Sequence, residues 1–456
     1  MMLDDVPLLI KLIKGYLSDV DIVWQDIERI RRLQDKRLRK VVRYAYTVPL
    51  YHSKYKTAGI NPRDIRGVED IRKLPVVTKD DIRNSFPKGV LPEGYNTRRA
   101  EKLSTSGSTG KPITIYVDRF SILQSIIAYV RILKAYGERW DKTRITIIAD
   151  TTYGSAGYAT FNSPLPSFLM KILPIDNIQI LDITEKSEEM ISKINDFKPD
   201  FLNGYPGVLH ALATLKMEKG FGRDINPRYV SSSGAVLDPF TRRYISEAFD
   251  AHVFDVYEST EGGPMAFECR RGCYHLHSDM VYLEALDDDM NPVSSGEVGR
   301  VAVTKLYGKG TPVVRYVGMG DLVKWTDDVC DCGINTGCIG SIEGRRVDAI
   351  VTADGGIIPP LSITGVPNEV MSEEKHFCVK QFQIVQEENG NVTVLVVPKK
   401  DEKNKEKTVI VYHKIETELN ERIGGGISVQ IKEVDEIPTY GAVLPPLVVS
   451  KVKKTS

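Results

Sequence analysis

Residues 104–115, STSGSTGKPITI, combine hydroxyl side chains, two glycines and a lysine directly ahead of a β-branched run. A Walker A loop reads G-x-x-x-x-G-K-[ST]. Here only two residues separate Gly107 from Gly110, and Pro112 follows Lys111, so the Walker A motif is excluded. Glycine still lets the backbone approach an anion closely, and lysine adds a positive charge. The composition predicts a phosphate-binding loop, the alternative being a surface turn. Its hydroxyl donors would be Ser104, Thr105, Ser106, Ser108 and Thr109.

A cysteine cluster is the second group of residues that could do chemistry. Five of the six cysteines lie between residues 269 and 338, in two close groups, and His275 and His277 stand beside the first group. Close thiolate pairs that are far apart in the chain are compatible with a tetrahedral Zn²⁺ site. The alternative is a set of buried free thiols. The five clustered cysteines are Cys269, Cys273, Cys330, Cys332 and Cys338.

The elements that position these residues follow a β-α-β-α rhythm. Strand-like runs are expected at 144–150, 178–184, 201–206 and 228–234, and helices at 187–197, 207–219 and 239–249. This alternation predicts an α/β fold with a largely parallel sheet covered by helices. Ligands of such sheets bind beyond the carboxyl ends of the strands. The runs 231–234 and 256–263 follow strand-like segments, and we therefore expect them to be site loops.

The flanking regions predict two domains. Residues 19–57 have a helical pattern within a helical N-terminal part of about 1–95, and Thr78 is a plausible N-cap with Asp81 three residues on. A strand (113–117) and a helix (121–136) follow the glycine loop, and 280–325 reads as short strands and turns. Beyond residue 346 we expect two hairpins, one turning at Asn389-Gly390, and a helix at 407–422. We predict a large domain over 1–345 and a small mobile domain over 346–456.

The composition and charge of the chain indicate which classes of protein it could belong to. The chain has 456 residues, 42% hydrophobic, with 61 basic and 61 acidic residues. This balance gives no indication of nucleic acid as a partner. The most apolar early stretch, 6–17, is too short and too charged for a signal peptide or a spanning helix. We expect a cytoplasmic protein without a membrane span.

Four motifs in order resemble the signature of the adenylate-forming superfamily, which includes acyl- and aryl-CoA ligases. They are STSGSTGKP (104–112), VYESTEGG (256–263), RYVGMGDLV (315–323) and GRRVDAI (344–350). Within this superfamily the chain is similar to the phenylacetate–coenzyme A ligase branch, with its capsule-biosynthesis and coenzyme F390 synthetase-like members. That similarity lies in YTVPLYHSKYKTAGINP (46–62), IRKLPVVTKDDIR (71–83) and the Cys-x-Cys-Gly at 330–333. The resemblance covers residues from about 30 to 452.

The resemblance implies a role for each motif. The 104–111 loop, with Gly107, Gly110 and Lys111, would hold the β- and γ-phosphates of ATP. Glu261 would hold Mg²⁺, a cation that prefers oxygen ligands. The small domain would turn about Asp348. The remaining implied contacts are Ser233, Gly234 and Ala235 against the adenine, Tyr257 stacked on it, Thr260 at the α-phosphate, Asp321 on the ribose hydroxyls, and Arg345 near ribose and phosphate.

The implied reaction has two steps. A carboxylate attacks the α-phosphorus of ATP to give an acyl adenylate, and a thiol, usually that of coenzyme A, then displaces AMP. The sequence does not decide among coenzyme A, a carrier protein, an amine or a hydroxyl as the acceptor. The stretch 153–163 and residues 203–207 would shape the acid pocket, and their composition suits an aryl or medium-sized acid. Family members are often homodimers, which the sequence leaves open.

The branch resemblance also implies a structural zinc site. Its ligands would be Cys269, His275, Cys330 and Cys332, with Cys273 as the alternative to His275.

The chain departs from the family pattern in two places. The family ends in a motif like I-P-x-T-x-x-G-G-K, whose lysine bridges the carboxylate and the α-phosphate. Here EIPTYGAVLPPLVVSKV (436–452) places Leu444 at the lysine position. Glu258 also stands where glycine is common. Two interpretations follow: a ligase or adenylyltransferase with a rearranged second half, or a nucleotide-binding paralogue with impaired adenylation.

Overall fold

We analysed a computed structural model, which describes residues 18–105, 112–161, 176–352, 354–399, 404–424, 426–437 and 446–452. The N-terminal part is helical. The predicted helical stretch 19–57 is two α-helices, α1 (Ile27–Ala45) and α2 (Pro49–Thr57), because Pro49 occupies the first turn of a new helix. Helix α3 (Lys79–Ser85) begins at Thr78, whose capping box with Asp81 confirms the predicted N-cap. Short 3₁₀ turns lie at Ile22–Trp24, Pro62–Asp64, Val68–Lys73, Lys88–Val90 and Thr97–Arg99.

An antiparallel hairpin frames the glycine-rich loop. Strand β1 (Ala100–Ser104) pairs with β2 (Thr114–Asp118), so that Ser104 lies opposite Thr114. Helix α4 (Arg119–Ala135) follows directly, with the Asp118 side chain accepting a hydrogen bond from the Ser121 N–H. The predicted strand and helix on the C-terminal side of the loop are therefore confirmed.

The described residues contain an 11-stranded sheet in the order β10-β11-β12-β13-β9-β8-β7-β6-β5-β3-β4. Strands β3 to β7 pair in parallel, whereas all pairs from β7–β8 to the β10 edge are antiparallel. The strands of the predicted β-α-β-α alternation, β3 to β6, are parallel as expected. The antiparallel half contains the short strands expected at 280–325, several of which are connected by short turns rather than helices. The strand bounds are β3 Ile145–Ala149, β4 Ile178–Asp182, β5 Phe201–Gly204, β6 Tyr229–Ser233, β7 His252–Ser259, β8 Gly263–Glu268, β9 Tyr274–Leu276, β10 Val281–Leu286, β11 Val298–Lys305, β12 Asp321–Trp325 and β13 Cys338–Arg345.

Helices connect the parallel strands. They are α5 (Ala156–Phe161), α6 (Ser187–Phe197), α7 (Pro206–Lys219) and α8 (Pro239–Phe249), of which α6, α7 and α8 lie where the sequence predicts a helix. Asp238 caps α8 by accepting from the main-chain N–H groups of Phe240 and Thr241. Leu202 and Val230 from the strands pack with Leu209 and Ile245 from these helices in one apolar core. Because both faces of the strands are covered, their carboxyl ends remain as the open edge for a ligand.

A buried ion pair fixes α4 against the antiparallel half of the sheet. The Arg131 guanidinium lies 2.9 Å from the Asp279 carboxylate, and both side chains are inaccessible to solvent. Arg131 also donates to main-chain carbonyl oxygens at Val20 and Asp19, and its remaining contact is the His277 ring. Removal of one partner would leave the other charge buried and unpaired.

The C-terminal part is a smaller α+β unit with its own apolar core. Strands β14 (Ile350–Val351) and β15 (Ile357–Ile358) form the first predicted hairpin, and β16 (Val379–Gln386) and β17 (Val392–Pro398) form the second. A 3₁₀ turn, Arg346–Asp348, precedes this unit. A four-stranded sheet has the order β18-β17-β16-β19. The other elements are α9 (Pro360–Thr364), α10 (Val366–Glu373), α11 (Lys405–Ile423), β18 (Val429–Glu433) and β19 (Val448–Ser450).

No helix among the described residues has both the length and the apolar character needed to cross a lipid bilayer.

Candidate functional site

The glycine-rich loop begins and ends on the β1–β2 hairpin. The Thr105 N–H donates to the Ile113 carbonyl at 3.0 Å, and Thr105 Oγ1 accepts from the Ile113 N–H at 3.2 Å. Ser104 Oγ lies 3.1 Å from Thr114 Oγ1. The first two predicted phosphate-binding residues therefore close the hairpin. The others, Ser106, Gly107, Ser108, Thr109, Gly110 and Lys111, lie outside the described residues.

The segment predicted to face the adenine lies at the carboxyl end of β6. Ser233 is the last residue of this strand and pairs in register with Val256 on the parallel strand β7. Gly234 has φ +80°, and a Cβ there would clash with the Tyr205 ring, so glycine is required. Gly234 and Ala235 are exposed. Parallel pairing thus brings the 233–235 turn beside the predicted residues at the end of β7.

Tyr257, Asp321 and Arg345 meet at one point of the sheet. The buried Tyr257 hydroxyl donates to Asp321 Oδ2 at 2.8 Å, and Arg345 Nε lies 3.5 Å from Asp321 Oδ1. Asp321 opens β12 and pairs in register with Arg345 at the end of β13. Burial raises the pKa of the Asp321 carboxyl, against the opposing effects of the arginine and of the tyrosine hydrogen bond. Three residues that are far apart in the chain are therefore joined around one carboxylate.

Glu261 lies beside this group. Its carboxylate is buried and accepts a hydrogen bond from the Tyr316 hydroxyl at 3.3 Å. Burial raises the pKa of Glu261, and the charge of Asp321 adds to this increase, so the two carboxylates act on each other. Thr260 immediately follows β7 and is partly exposed. A buried carboxylate oxygen next to a second carboxylate is a suitable environment for a divalent cation.

Lys79 is a site residue to which the sequence analysis gives no role. It is the first residue of α3, and it is partly buried. Burial lowers the pKa of its ammonium group, whereas the charge of Glu261 raises it and that of Arg345 lowers it. The available signal was its place in the branch-specific stretch 71–83. Sequence alone does not show that the start of α3 lies next to the end of β7.

The cysteine cluster is assembled from two loops and one strand. Cys269 follows β8, His275 lies on β9, and Cys330 and Cys332 lie between β12 and β13. One ligand atom from each of these four residues lies within 4.8 Å of all the others. The Cys269 and Cys330 sulfurs are 3.7 Å apart. Two sulfurs on a tetrahedral Zn²⁺ with bonds of about 2.3 Å would be separated by about 3.8 Å. The donor set therefore fits zinc.

The His275 ring is oriented for ligation through Nε2. Its Nδ1 lies 3.3 Å from the Thr336 carbonyl oxygen, and Nε2 lies 3.0 Å from the Cys332 sulfur. A histidine that donates one ring N–H to a carbonyl presents its other nitrogen to a metal. Cys273, the alternative ligand, is outside the group of four. The Cys338 sulfur lies next to this histidine, 3.5 Å from His275 Nδ1.

Thiol ionisation is disfavoured in the protein without metal. Burial raises the pKa of Cys269, and it raises the pKa of Cys332 to about 12. Cys330 differs: its pKa is lowered despite burial, because the Cys332 main-chain N–H and neighbouring thiols donate to it. Zinc ligation requires thiolates, so binding would displace protons from the cluster.

Most of the segment that departs from the C-terminal motif of the family lies outside the described residues. Ala442, Val443 and Leu444 lie outside the described residues. Lys451 follows β19, and its ammonium group lies 2.6 Å from the Glu387 carboxylate in the same small unit. This ion pair gives Lys451 a surface role.

The chain was compared with known proteins. Residues 350–441 match the family model of the CapK C-terminal domain. A phenylacetate–coenzyme A ligase of Thermus thermophilus is 27% identical over 350 residues, which cover 73% of this chain and 74% of that enzyme. Protein CapK of Staphylococcus aureus is 24% identical over 430 residues, which cover 91% of this chain and 89% of that protein.

Solved structures show the same fold. 2-Hydroxyisobutyryl-CoA ligase in its postadenylation state matches with a TM-score of 0.77 at 20% identity, covering 93% of this chain and 90% of that one. An anthranilate CoA ligase in complex with anthranoyl-AMP matches with a TM-score of 0.53 at 16% identity, covering 76% of this chain and 64% of that one. These matches confirm the resemblance inferred from the four motifs: the chain is similar to phenylacetate–coenzyme A ligases and to protein CapK, and it shares the fold of adenylate-forming CoA ligases.

Proposed function

We propose that this chain is an ATP-dependent ligase that activates a carboxylic acid and transfers it to a thiol. In the first step an acid oxygen bonds to the α-phosphorus of ATP, and the bond to pyrophosphate breaks. In the second step the thiol sulfur bonds to the acyl carbon, AMP leaves, and the thiol proton is lost. The names of the relatives, phenylacetate–coenzyme A ligases, support coenzyme A as the acceptor and an aryl acid as the substrate.

The observation that carries this proposal is the Tyr257–Asp321–Arg345 group. The Asp321 carboxylate accepts a hydrogen bond from the buried Tyr257 hydroxyl and lies next to the Arg345 guanidinium. The group lies at the edge of the sheet where α/β proteins bind ligands. In our proposal Asp321 accepts the ribose hydroxyls of ATP, Arg345 lies against ribose and phosphate, and Tyr257 packs on the adenine. The turn 233–235 borders the adenine from β6.

The phosphates would lie towards Glu261 and the glycine-rich loop. We assign the β- and γ-phosphates to residues 104–111 including Lys111, and the α-phosphate to Thr260. Glu261 would hold Mg²⁺, which neutralises phosphate charge when bound. Lys79 adds a positive charge next to Glu261. Electrostatic stabilisation of this kind requires donors that are fixed before the reaction, and buried Glu261 with its Tyr316 partner meets this requirement.

Further parts of the proposal concern domains, metal and location. We place the domain boundary at 345/346, since β13 ends at Arg345 and Asp348 could serve as the hinge. We assign a structural Zn²⁺ to Cys269, His275, Cys330 and Cys332, supported by their mutual distances. A cytoplasmic location is supported by the six cysteines, none of which forms a disulfide, because disulfides are rare in that compartment.

A second candidate function rests on Leu444. An apolar side chain at the position of the family lysine cannot neutralise charge that develops at the α-phosphate. A chain that binds ATP without adenylating any acid would then be a nucleotide-binding paralogue. Acid-dependent AMP formation separates this alternative from the ligase.

A direct test measures AMP and thioester by mass spectrometry after incubation with ATP, Mg²⁺, coenzyme A and a panel of aryl and aliphatic acids. Asp321→Asn is expected to raise the KM for ATP by about 10–100-fold, since it weakens hydrogen bonds of a charged acceptor. The exposed Asp289→Asn is the matched control and should leave KM unchanged. Equal KM values for Asp321→Asn and Asp289→Asn would contradict the nucleotide assignment.

A further inference from the structure

Helix α1 concentrates positive charge, although the chain as a whole has 61 basic and 61 acidic residues. Six arginines and two lysines lie on this helix, eight cations in all, against the two acidic residues Glu28 and Asp35. Three of the arginines, Arg31, Arg37 and Arg39, contact carboxylates or a carbonyl oxygen of other elements. The fold therefore uses these three cations, and five others remain to be explained.

The five remaining cations of α1 lie on one face of the helix, and all five are exposed. Their successive spacings of three, four, four and three residues follow the helical repeat, so they form one row about 21 Å long. On the opposite face Leu38, Val42 and Ala45 are buried in the core of the protein, and this packing fixes the row towards solvent. We call the row the basic face; its members are Arg29, Arg32, Lys36, Lys40 and Arg43.

The basic face has no counter-charge within the described part of the chain. No carboxylate there forms an ion pair with any of its five side chains, in contrast to the paired Arg31 and Arg37, and Arg29 donates to the neutral Gln25 side chain at 2.9 Å. Like charges four residues apart, such as Lys36 and Lys40, destabilise a helix, and a solvated helix face usually alternates the two signs. An anionic partner would neutralise this repulsion.

The sequence that leads into α1 favours a lipid surface over other anionic partners. Residues 6–17, VPLLIKLIKGYL, combine a short apolar sequence with two lysines. Such a stretch is too short to span a bilayer. Apolar residues next to a basic cluster are typical of peripheral lipid binding, which requires two weak attractions together. The basic face carries no aromatic side chain on which a nucleic-acid base could stack.

We propose that the basic face of α1 docks on an anionic lipid bilayer and holds the chain at a membrane surface without crossing it. The lipid headgroups would contact the arginine and lysine side chains, as anionic leaflets attract basic segments of other proteins. The apolar residues of 6–17 would add the second attraction. This interaction is separate from the ligase reaction, and neither depends on the other.

The test is sedimentation of the full chain with vesicles of phosphatidylcholine alone and with vesicles of equal parts phosphatidylcholine and phosphatidylserine. We expect binding to the mixed vesicles that weakens as the salt concentration rises, because dissolved ions screen the attraction. The triple variant Arg32→Gln, Lys36→Gln and Lys40→Gln should bind these vesicles about 100-fold more weakly, since each basic residue near an anionic membrane contributes roughly 5-fold. Its thermal unfolding midpoint should not fall, because the substitutions remove like-charge repulsion. If the triple variant does not fold, Lys36→Gln with Lys40→Gln replaces it, with an expected decrease of about 25-fold.

The matched control removes the same charge at three exposed lysines elsewhere, Lys142→Gln, Lys405→Gln and Lys432→Gln, and should bind like the natural protein. No binding to the mixed vesicles, equal binding to both kinds of vesicle, or equal losses in the control and in the α1 variant would overturn the proposal. Tighter binding of the natural protein to duplex RNA or DNA than to mixed vesicles at equal phosphate concentration would also overturn it, and would assign the basic face to nucleic acid.

Discussion

At the scale of single residues, the site contains two carboxyl groups whose pKa values are raised by burial. Asp321 and Glu261 both have raised pKa values, and in each case burial is the main cause. Arg345 and Tyr257 oppose this effect at Asp321, and Tyr316 and Lys79 oppose it at Glu261. A bound nucleotide with its metal would add further positive charge and hydrogen-bond donors.

A buried histidine away from the site gives a prediction for the pH dependence of stability. His210 stacks on Tyr244 with ring centroids 4.6 Å apart, and burial lowers its pKa from 6.5 to about 4. The unfolded chain binds this proton below pH 6.5 while the folded chain does not. The contribution of His210 to stability is thus present above pH 6.5 and is lost as the pH falls towards 4, by at most about 1.4 kcal/mol for each pH unit.

We expect His210→Phe to keep the ring stacking. As the pH falls from 6.5 to 4, its thermal unfolding midpoint should decrease less than that of the natural protein. Thermal unfolding midpoints of the two proteins across this range provide the measurement. His413→Gln, at an exposed position, should follow the natural protein. Parallel curves for the natural protein and His210→Phe would show that His210 does not cause this loss.

At the scale of elements, the cysteine cluster connects the β8–β9 turn to the loop between β12 and β13. These segments border the strands that carry Asp321 and Arg345. Strand β13 pairs with β9 on one side and β12 on the other, with Cys338 opposite His275. A metal here would fix the register of the strands that present the nucleotide-binding residues, without taking part in the reaction.

The proposed metal predicts a stability effect. The purified chain should contain about one zinc per chain, and Cys332→Ser should lose most of it and unfold at least about 5 °C lower, because bound metal stabilises only the folded state. Elemental analysis and thermal unfolding measure the two effects. Cys378→Ala, a buried cysteine of the small unit, should keep its zinc. Full zinc content in Cys332→Ser would exclude this ligand set.

At the scale of the whole molecule, the small unit packs on the large domain through defined contacts. Lys380 pairs with Glu218 on α7 at 2.8 Å, and the Arg243 guanidinium lies 3.7 Å from the centre of the Phe377 ring. Phe240 of α8 packs edge-on against Phe382. These contacts combine ring packing with charged groups, which suits an interface that opens when one domain turns against the other. The rotation about Asp348 is part of our proposal.

The sequence predicted the parallel half of the fold well, because strands and helices there have clear periodicity and caps. For the antiparallel half it indicated short strands and turns but not their order in the sheet, because that order depends on pairing between distant segments. Asp321 and Glu261 could be predicted because they lie in motifs of fixed spacing. Lys79 could not be found, since only the tertiary structure brings the start of α3 to the end of β7.

The most direct test of the ligase proposal is acid-dependent exchange of labelled pyrophosphate into ATP, for the natural protein and for Leu444→Lys. We predict slow exchange in the natural protein, because the α-phosphate lacks the lysine charge. We predict an increase of about 10–100-fold in the variant, in line with the effect of one stabilising group in other enzymes. No exchange in either protein with any acid of the panel would contradict the proposal that this chain forms an acyl adenylate.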